Sequence, residues 1–146
     1  MQTCTRRIQF CAGHRVHGHE NKCAHIHGHN YVAYITAVSA RDEATDDIGR
    51  VIDFSVLKDR VGGWIDKYWD HAMLYYQHDY EIAELYSKDG PLNHMKHHIL
   101  LQNPTAENMA DFILRLSNGS LLHDEPIAVT EVTLWETENC FATATV

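Results

Sequence analysis

Histidine is concentrated near the start of the chain, and this cluster is the clearest sign of chemistry in the sequence. Of the 12 histidines, six fall between His14 and His29. His27 and His29 are separated by one residue, so on a β-strand both side chains leave the same face, about 6.6–6.8 Å apart along the chain. Imidazoles placed in this way can share one metal ion at about 2.0–2.1 Å from each nitrogen. The spacing therefore predicts a metal site at His27 and His29.

A third histidine and a cysteine fit the same site. His14 follows Phe10 and Ala12 in a two-residue alternation, so it shares their face of a first strand. If that strand pairs with the strand of His27, His14 is a natural third ligand. Three histidines with one open position are typical of a catalytic zinc site rather than a closed structural one. Cys23 leaves two alternatives open: a fourth ligand that closes the site, or a thiolate held near the metal as a base.

The other histidines and cysteines receive less specific interpretations. We interpret the remaining histidines of the cluster as spectators or outer groups that orient the ligands, and the later histidine run as a solvated loop in preference to a second metal site. The two cysteines in apolar alternating stretches are expected to be buried, inert thiols. The remaining histidines of the cluster are His17, His19 and His25, and the later run is His94, His97 and His98. The two cysteines are Cys11 and Cys140.

The elements that must position these residues can be read from hydrophobic periodicity. Two-residue alternation predicts strands, and recurring apolar residues three or four apart predict helices. The order is β-β-α-insert-α-β-β, which indicates an α+β domain with two helices on one face of a four-stranded antiparallel sheet. The predicted strands cover 3–14, 27–40, 127–136 and 140–146, and the predicted helices cover 54–68 and a segment from the N-cap Thr105 to Asn118, with a short helix near 80–87 and a short extended piece at 99–102 in the insert.

Composition bounds the class of protein and its partners. With 146 residues the chain is about one domain long, which we take as residues 1–146. The net charge of −8 argues against a nucleic-acid partner. No apolar run approaches the ~18 residues of a membrane span, and the first residues lack the apolar core of a secretory signal. We therefore expect a cytoplasmic protein with reduced thiols and no membrane partner.

Six short motifs follow one another along nearly the whole chain. They are Phe10-x-Ala12-x-His14, Cys23-x-x-x-His27-Gly28-His29-Asn30-Tyr31, Val51-Ile52-Asp53-Phe54, Asp70-His71, Pro104-Thr105-Ala106-Glu107-Asn108 and Glu136-Thr137. Taken together and in this order, the motifs resemble the 6-pyruvoyl-tetrahydropterin synthase family. The three residues between the cysteine and His-Gly-His resemble its 6-carboxy-tetrahydropterin synthase branch, which serves queuosine and other deazapurine synthesis.

The resemblance implies a fold, a reaction and an assembly. The fold is the tunnelling fold, in which subunits join their sheets into a barrel and trimers pair as a hexamer, so the chain is expected to be a homo-oligomer. The substrate is 7,8-dihydroneopterin triphosphate, and the products for this branch are carboxy-tetrahydropterin, acetaldehyde and triphosphate. The implied reaction is that of a zinc-dependent lyase.

The resemblance also implies roles for individual residues. His14, His27 and His29 would bind Zn²⁺, and Cys23 would act as the general base. Asp70 and His71 would be catalytic residues that form a proton relay. Glu136 would be a substrate-binding residue that anchors the pterin ring.

Glu136 makes chemical sense in this role. It lies in phase with the apolar residues Val132 and Leu134, so its carboxylate faces the buried side and needs partners such as the N–H donors of a pterin edge. Glu107 is better explained as an acidic residue in the first turn of a helix. Arg15 and Lys22 are candidates for holding the triphosphate, which the negative charge of the chain otherwise disfavours.

The sequence departs from the family pattern in one region. Asp70-His71 is followed by Ala72-Met73-Leu74-Tyr75-Tyr76 rather than the Leu-Asn that often follows in the family, and the segment to Pro104 is longer than in compact members.

Two alternative functions stay open. One is 6-pyruvoyl-tetrahydropterin synthase chemistry, which eliminates triphosphate without releasing two carbons. The other is a non-catalytic zinc-binding module in which Cys23 is the fourth ligand.

Overall fold

The computed structural model describes residues 1–146, which form one six-stranded sheet covered by helices. The strand order is β4-β3-β1-β2-β5-β6. The strands are β1 Thr3–His14, β2 His27–Ser39, β3 Ala72–Tyr76, β4 His97–Leu100, β5 Ile127–Thr137 and β6 Cys140–Thr145, and the α-helices are α1 Phe54–Leu57, α2 Gly63–Tyr68, α3 Tyr80–Tyr86 and α4 Ala106–Leu116.

The first two strands form the antiparallel pair that carries the histidines. β1 and β2 pair from Thr3 opposite Val38 to His14 opposite His27. The predicted alternation is confirmed, since Phe10, Ala12 and His14 are all buried on one face of β1. That face packs against the helices and forms part of a 25-residue apolar core. The strand pairing alone therefore brings the predicted ligands to one end of the sheet.

The sheet has six strands rather than the four predicted, and two of its pairings are parallel rather than antiparallel. β3 pairs in parallel with β1 through Ala12–His14, and β4 pairs in parallel with β3. β3 is buried almost throughout, so it lacks the in–out alternation that identifies a half-buried strand. β4 was expected at 99–102 as a short extended piece and lies two residues earlier. The α+β class and the other four strands are confirmed.

The helices follow the predicted positions with local irregularities. A π-helical segment, Lys58–Gly62, joins α1 to α2, so the helix predicted at 54–68 is continuous but distorted. Thr105 is the N-cap of α4, and its side-chain oxygen accepts a hydrogen bond from the Asn108 N–H at 3.2 Å. None of these helices combines the length and the hydrophobicity that a membrane-spanning helix requires.

Candidate active site

Three imidazoles converge at the end of the β1–β2 pair. His14 lies directly opposite His27, and Ala12 lies opposite His29, so the three side chains share the inner face of the sheet. One ring nitrogen from each of the three histidines lies within 4.8 Å of the other two. His14 is 1% exposed, whereas His27 and His29 are partly exposed, so the group is open toward solvent on one side only.

Backbone carbonyls determine which nitrogens face inward. Nδ1 of His14 lies 2.7 Å from the carbonyl oxygen of Pro104, and Nδ1 of His27 lies 2.7 Å from that of His25. Because a carbonyl only accepts, each Nδ1 carries the proton and donates it. In the neutral rings both Nε2 atoms therefore present lone pairs, and they lie 3.0 Å apart. Two lone pairs at this distance repel each other unless a cation lies between them.

The donor set fits a zinc ion. Two nitrogens at about 2.0–2.1 Å from one tetrahedral zinc are about 3.3 Å apart, close to the spacing of the two Nε2 atoms. Ligating histidines commonly donate their second N–H to a carbonyl, which holds the tautomer and the ring orientation. The three imidazoles also leave a fourth position open, because no cysteine sulfur belongs to their group.

The His-Gly-His spacing has a steric reason. Gly28 pairs with Gly13 across the two strands, and a Cβ at position 28 would lie 3.0 Å from the carbonyl oxygen of Ala12. A side chain there would push β2 away from β1 and spread the imidazoles on the opposite face. The glycine between the two histidines thus allows the close approach of the strands that brings His14 and His27 together.

Burial makes the metal-free imidazoles weak bases. Burial lowers the pKa of His14 to about 4; the hydrogen bond to Pro104 opposes this shift, and the neighbouring histidines add to it. Burial also lowers the pKa of His29, with His27 contributing. Both rings are therefore neutral at pH 7, the form in which histidine binds a metal.

A carboxylate stands beside the imidazoles. Oε1 of Glu136 lies 3.9 Å from Nε2 of His14. Burial raises the pKa of Glu136, and the negative charge of Glu107 raises it further, whereas His27 opposes the shift. Glu107, which we interpreted only as a first-turn acid of α4, is therefore also a neighbour of the site. The Val132–Leu134–Glu136 alternation is confirmed, with both apolar residues fully buried.

Cys23 and Glu136 both influence the same buried hydroxyl, that of Tyr31. Cys23 occupies a single 3-10 turn, Lys22–Ala24, and is partly buried. Burial raises the pKa of the Tyr31 hydroxyl, and the charges of Glu136 and Cys23 add to this, which places both near that hydroxyl. Cys23 forms no hydrogen bond with Asp70 or His71, and its role as general base stays a prediction.

Asp70 and His71 form a dyad although adjacent side chains usually diverge. Nδ1 of His71 lies 2.8 Å from Oδ2 of Asp70. The contact is possible because His71 has a φ of 61°, in the left-handed region, which turns its side chain back toward Asp70. Burial alone would raise the pKa of Asp70, but hydrogen bonds from the Cys11 N–H and from His71 outweigh it and hold this pKa below its usual value.

Cys11 is the cysteine that the fold brings to this dyad. Its sulfur lies 3.6 and 3.5 Å from the two ring nitrogens of His71, and its N–H donates to Oδ1 of Asp70 at 2.9 Å. The expectation that Cys11 is a buried inert thiol was wrong: it is only partly buried, and Cys140 is exposed. An open cavity of about 470 Å³ lies beside the dyad, on the face of the β1–β2 pair opposite His14, and Cys11, Gly28 and His71 are among the residues that line it.

Two other sequence interpretations change. Arg15, a candidate for the triphosphate, donates from Nε and Nη2 to the buried carboxylate of Asp79 at 2.6 and 2.5 Å. Its charge is therefore already neutralised by a partner within the chain. His98 lies among aromatic rings, 5.6 Å from Trp64 between centroids, rather than in a solvated loop. The later histidines form no group that could hold a metal.

The contacts that sequence reasoning missed are long-range ones. Cys11 reaches the dyad only because β3 pairs in parallel with β1, and Glu107 reaches Glu136 only because α4 packs on the sheet. The sequence did contain one sign that Cys11 is not a core residue. Cys11 alternates with Gly13, so it lies on the face of β1 opposite His14. Nothing in the local pattern of Glu107 distinguishes it from an ordinary first-turn acid.

Comparison with known proteins identifies relatives across the whole chain. The model of the family described as 6-pyruvoyl tetrahydropterin synthase matches residues 3–145. A protein of Rickettsia bellii named 6-carboxy-5,6,7,8-tetrahydropterin synthase is 43% identical over 142 residues, which cover 97% of this chain and 98% of the relative. A protein of the same name from Haemophilus influenzae is 32% identical and covers 94% of both chains.

Solved structures share the fold. An uncharacterized protein of Wolinella succinogenes superimposes with a TM-score of 0.80 at 19% identity, covering 99% of this chain and 97% of the other. The 6-pyruvoyl tetrahydropterin synthase of Caenorhabditis elegans superimposes with a TM-score of 0.66 at 24% identity, covering 99% and 95%. The family match over residues 3–145 and the full-length relatives agree with the motifs and with the fold. The chain belongs to the 6-pyruvoyl tetrahydropterin synthase family.

Proposed function

We propose that this chain is a zinc-dependent lyase that converts 7,8-dihydroneopterin triphosphate into 6-carboxy-5,6,7,8-tetrahydropterin, acetaldehyde and triphosphate. The observation that carries the proposal is the pair of Nε2 lone pairs of His14 and His27, which face each other at 3.0 Å beside His29. The names of relatives that are 40–43% identical over nearly the whole chain support this branch of the family.

The metal would be held by His14, His27 and His29. Zinc bound there would supply Lewis acidity to the hydroxyl and carbonyl oxygens of the substrate side chain and so acidify the protons that must move. The chain itself contributes the neutral tautomers, because Pro104 and His25 accept the Nδ1 protons.

Glu136 would bind the pterin. Its carboxylate is half-buried beside His14 and has no hydrogen-bond partner within the chain. A pterin edge offers adjacent N–H donors, which would pair with the two carboxylate oxygens and offset the cost of burying them. This geometry would place the side chain of the substrate toward the imidazoles.

Proton transfer would use Cys23 as base and the Asp70–His71 dyad as relay. Asp70 accepts the Nδ1 proton of His71, so Nε2 of His71 is free to take or give a proton. The His71 side chain is 77% exposed and lines an open cavity, so its Nε2 is accessible to a reacting group. We also propose that the protein is a cytoplasmic homo-oligomer, either a trimer or a hexamer, and that it serves queuosine or other deazapurine synthesis.

The decisive experiment is product analysis with 7,8-dihydroneopterin triphosphate. The zinc-loaded protein should release carboxy-tetrahydropterin and an equal amount of acetaldehyde, measured by mass spectrometry and by an aldehyde assay. His27→Ala should abolish both products, whereas His123→Ala, which changes an exposed histidine outside the site, should leave both unchanged.

Two other results would reject the proposal. A pyruvoyl-pterin without acetaldehyde would assign the chain to the 6-pyruvoyl-tetrahydropterin branch. No turnover by a folded protein that holds stoichiometric zinc would favour the non-catalytic zinc-binding module.

A further inference from the structure

Lys96 closes the C-terminal end of the helix that precedes the dyad. Its ammonium group donates hydrogen bonds to the carbonyl oxygens of Asp66 and Asp70 at 2.9 and 2.5 Å. The last carbonyls of a helix have no partner within the helix, and a positive charge there also complements the helix dipole. Lys96 thus binds the backbone of the dyad residue Asp70 itself.

The backbone of Lys96 is held as firmly as its side chain. The carbonyl oxygen of Lys96 accepts a hydrogen bond from the N–H of Met73 at 3.1 Å. The next residue, His97, pairs with Met73 in the β3–β4 ladder. Lys96 therefore contacts the chain both before and after His71, at Asp70 and at Met73.

The turn at His71 needs such support. A non-glycine residue with a φ of 61° occupies a sparsely populated region, and it persists when surrounding contacts hold it. On one side the His71 N–H donates to the carbonyl oxygen of Cys11 at 2.6 Å, while the Cys11 N–H donates to Asp70. Lys96 provides the contacts on the other side, so the turn lies between β1 and the end of the insert.

The insert that ends at Lys96 is itself anchored. Residues 77–96 join β3 to β4, and within them Asp79 is fully buried and forms a bidentate ion pair with Arg15, just after β1. The Tyr86 ring stacks on Tyr75 of β3 at 5.7 Å between centroids. The insert is therefore fixed to both β1 and β3, which gives Lys96 a rigid base.

We infer that Lys96 is a positioning residue for the Asp70–His71 dyad, and that residues 77–96 serve to place it there. The inference rests on the proposed function only in so far as the dyad transfers protons. Lys96 would act by holding the left-handed turn in which Nδ1 of His71 reaches Asp70. It touches neither the imidazoles nor Glu136.

The test compares two substitutions of Lys96 with a matched control. Lys96→Met should lower kcat about tenfold because small displacements of a proton-transfer group are costly, while KM stays within about twofold. Lys96→Arg keeps the positive charge and should restore at least about a third of kcat. Lys88→Met removes an exposed lysine of the same insert whose side chain forms no hydrogen bond or ion pair, and it should behave as the wild type.

A second readout follows His71 without turnover. In the dyad Nδ1 of His71 donates to Asp70, which leaves Nε2, beside the Cys11 sulfur, as the nucleophilic nitrogen. Diethyl pyrocarbonate labelling mapped on the His71 peptide therefore reports the dyad geometry. Lys96→Met should change this labelling rate about threefold or more, and Lys96→Arg should not. Zinc content should be equal in all four proteins.

The outcomes separate the inference from the proposed function. Unchanged His71 labelling in folded Lys96→Met overturns the inference, whether or not kcat falls. Changed labelling with wild-type kcat supports the positioning by Lys96 and counts against the proton relay. A loss of zinc together with a loss of kcat would also overturn the inference, because the effect would then pass through the metal site.

Discussion

The imidazole cluster of His14, His27 and His29 and the Asp70–His71 dyad are built in different ways. The imidazoles of His14, His27 and His29 stand on two paired strands, and their inward direction follows from the register of that pair. The Asp70–His71 dyad stands on a turn with a left-handed residue and is held by contacts from Cys11 and Lys96. His14 is 1% exposed, whereas the His71 side chain is 77% exposed.

This difference separates a proposed metal site of fixed geometry from a side chain whose position depends on contacts from other elements. A site on a hydrogen-bonded ladder keeps its geometry unless the ladder breaks, so it suits a metal whose ligands must stay in place. A side chain on an exposed turn has few contacts that resist displacement, so its position depends on distant residues. Substitutions in the two regions should therefore affect different measured quantities.

The largest effect is expected from removing a proposed metal ligand. His14→Ala should abolish stoichiometric zinc binding and lower kcat/KM by at least about 10³-fold. The reason is that the metal would stabilise the charge that develops in the transition state by several kcal/mol. Metal analysis and turnover would be measured on the same preparation. Retained zinc with full activity would break the comparison, since the buried imidazole would then be structural only.

A smaller effect, with the opposite metal result, is expected at the dyad. Asp70→Asn should lower kcat about 10²- to 10³-fold by removing the carboxylate that orients His71, while zinc content stays unchanged. Asp59→Asn, an exposed acid in the π-helical segment, serves as the matched control. Loss of zinc in Asp70→Asn would show that the two regions are not independent.

The metal-free protein should lose stability on mild acidification because of His14. Its pKa is lowered from 6.5 to about 4 in the folded state, so between these values the unfolded chain binds more protons. Stability from this group is present above pH 6.5 and falls as the pH drops to 4, by about 3 kcal/mol, or about 10²-fold in the unfolding equilibrium. Urea unfolding of the protein after a chelator has removed its metal, repeated between pH 7 and pH 4, measures this loss of stability. A similar loss in His14→Gln would contradict the assignment to His14.

The smallest effect is expected from the thiol beside the dyad. Cys11→Ser keeps the backbone N–H and carbonyl that hold Asp70 and His71, so kcat should change about threefold or less. Cys23→Ser should lower kcat by at least about 10²-fold if Cys23 is the base. Steady-state kinetics of the two variants compare them directly, and the reverse order would identify Cys11 as the working thiol.

Local patterns were sufficient for most of the framework. Two-residue alternation predicted β1, β2, β5 and β6 and the shared face of His14, His27 and His29, because side-chain direction on a strand follows from the backbone alone. The N-cap at Thr105 was also recognised, since capping depends on neighbouring residues. The motif order was enough to recognise the family.

Only the folded chain decided which distant residues meet. β3 and β4 join the sheet in parallel through non-local pairing, and their short, nearly non-alternating segments carry no periodic signal. That pairing brings Cys11 and Lys96 to the dyad, and a single left-handed φ at His71 turns two adjacent side chains toward each other. Such contacts depend on the energy of the whole packed structure, which no window of the sequence contains.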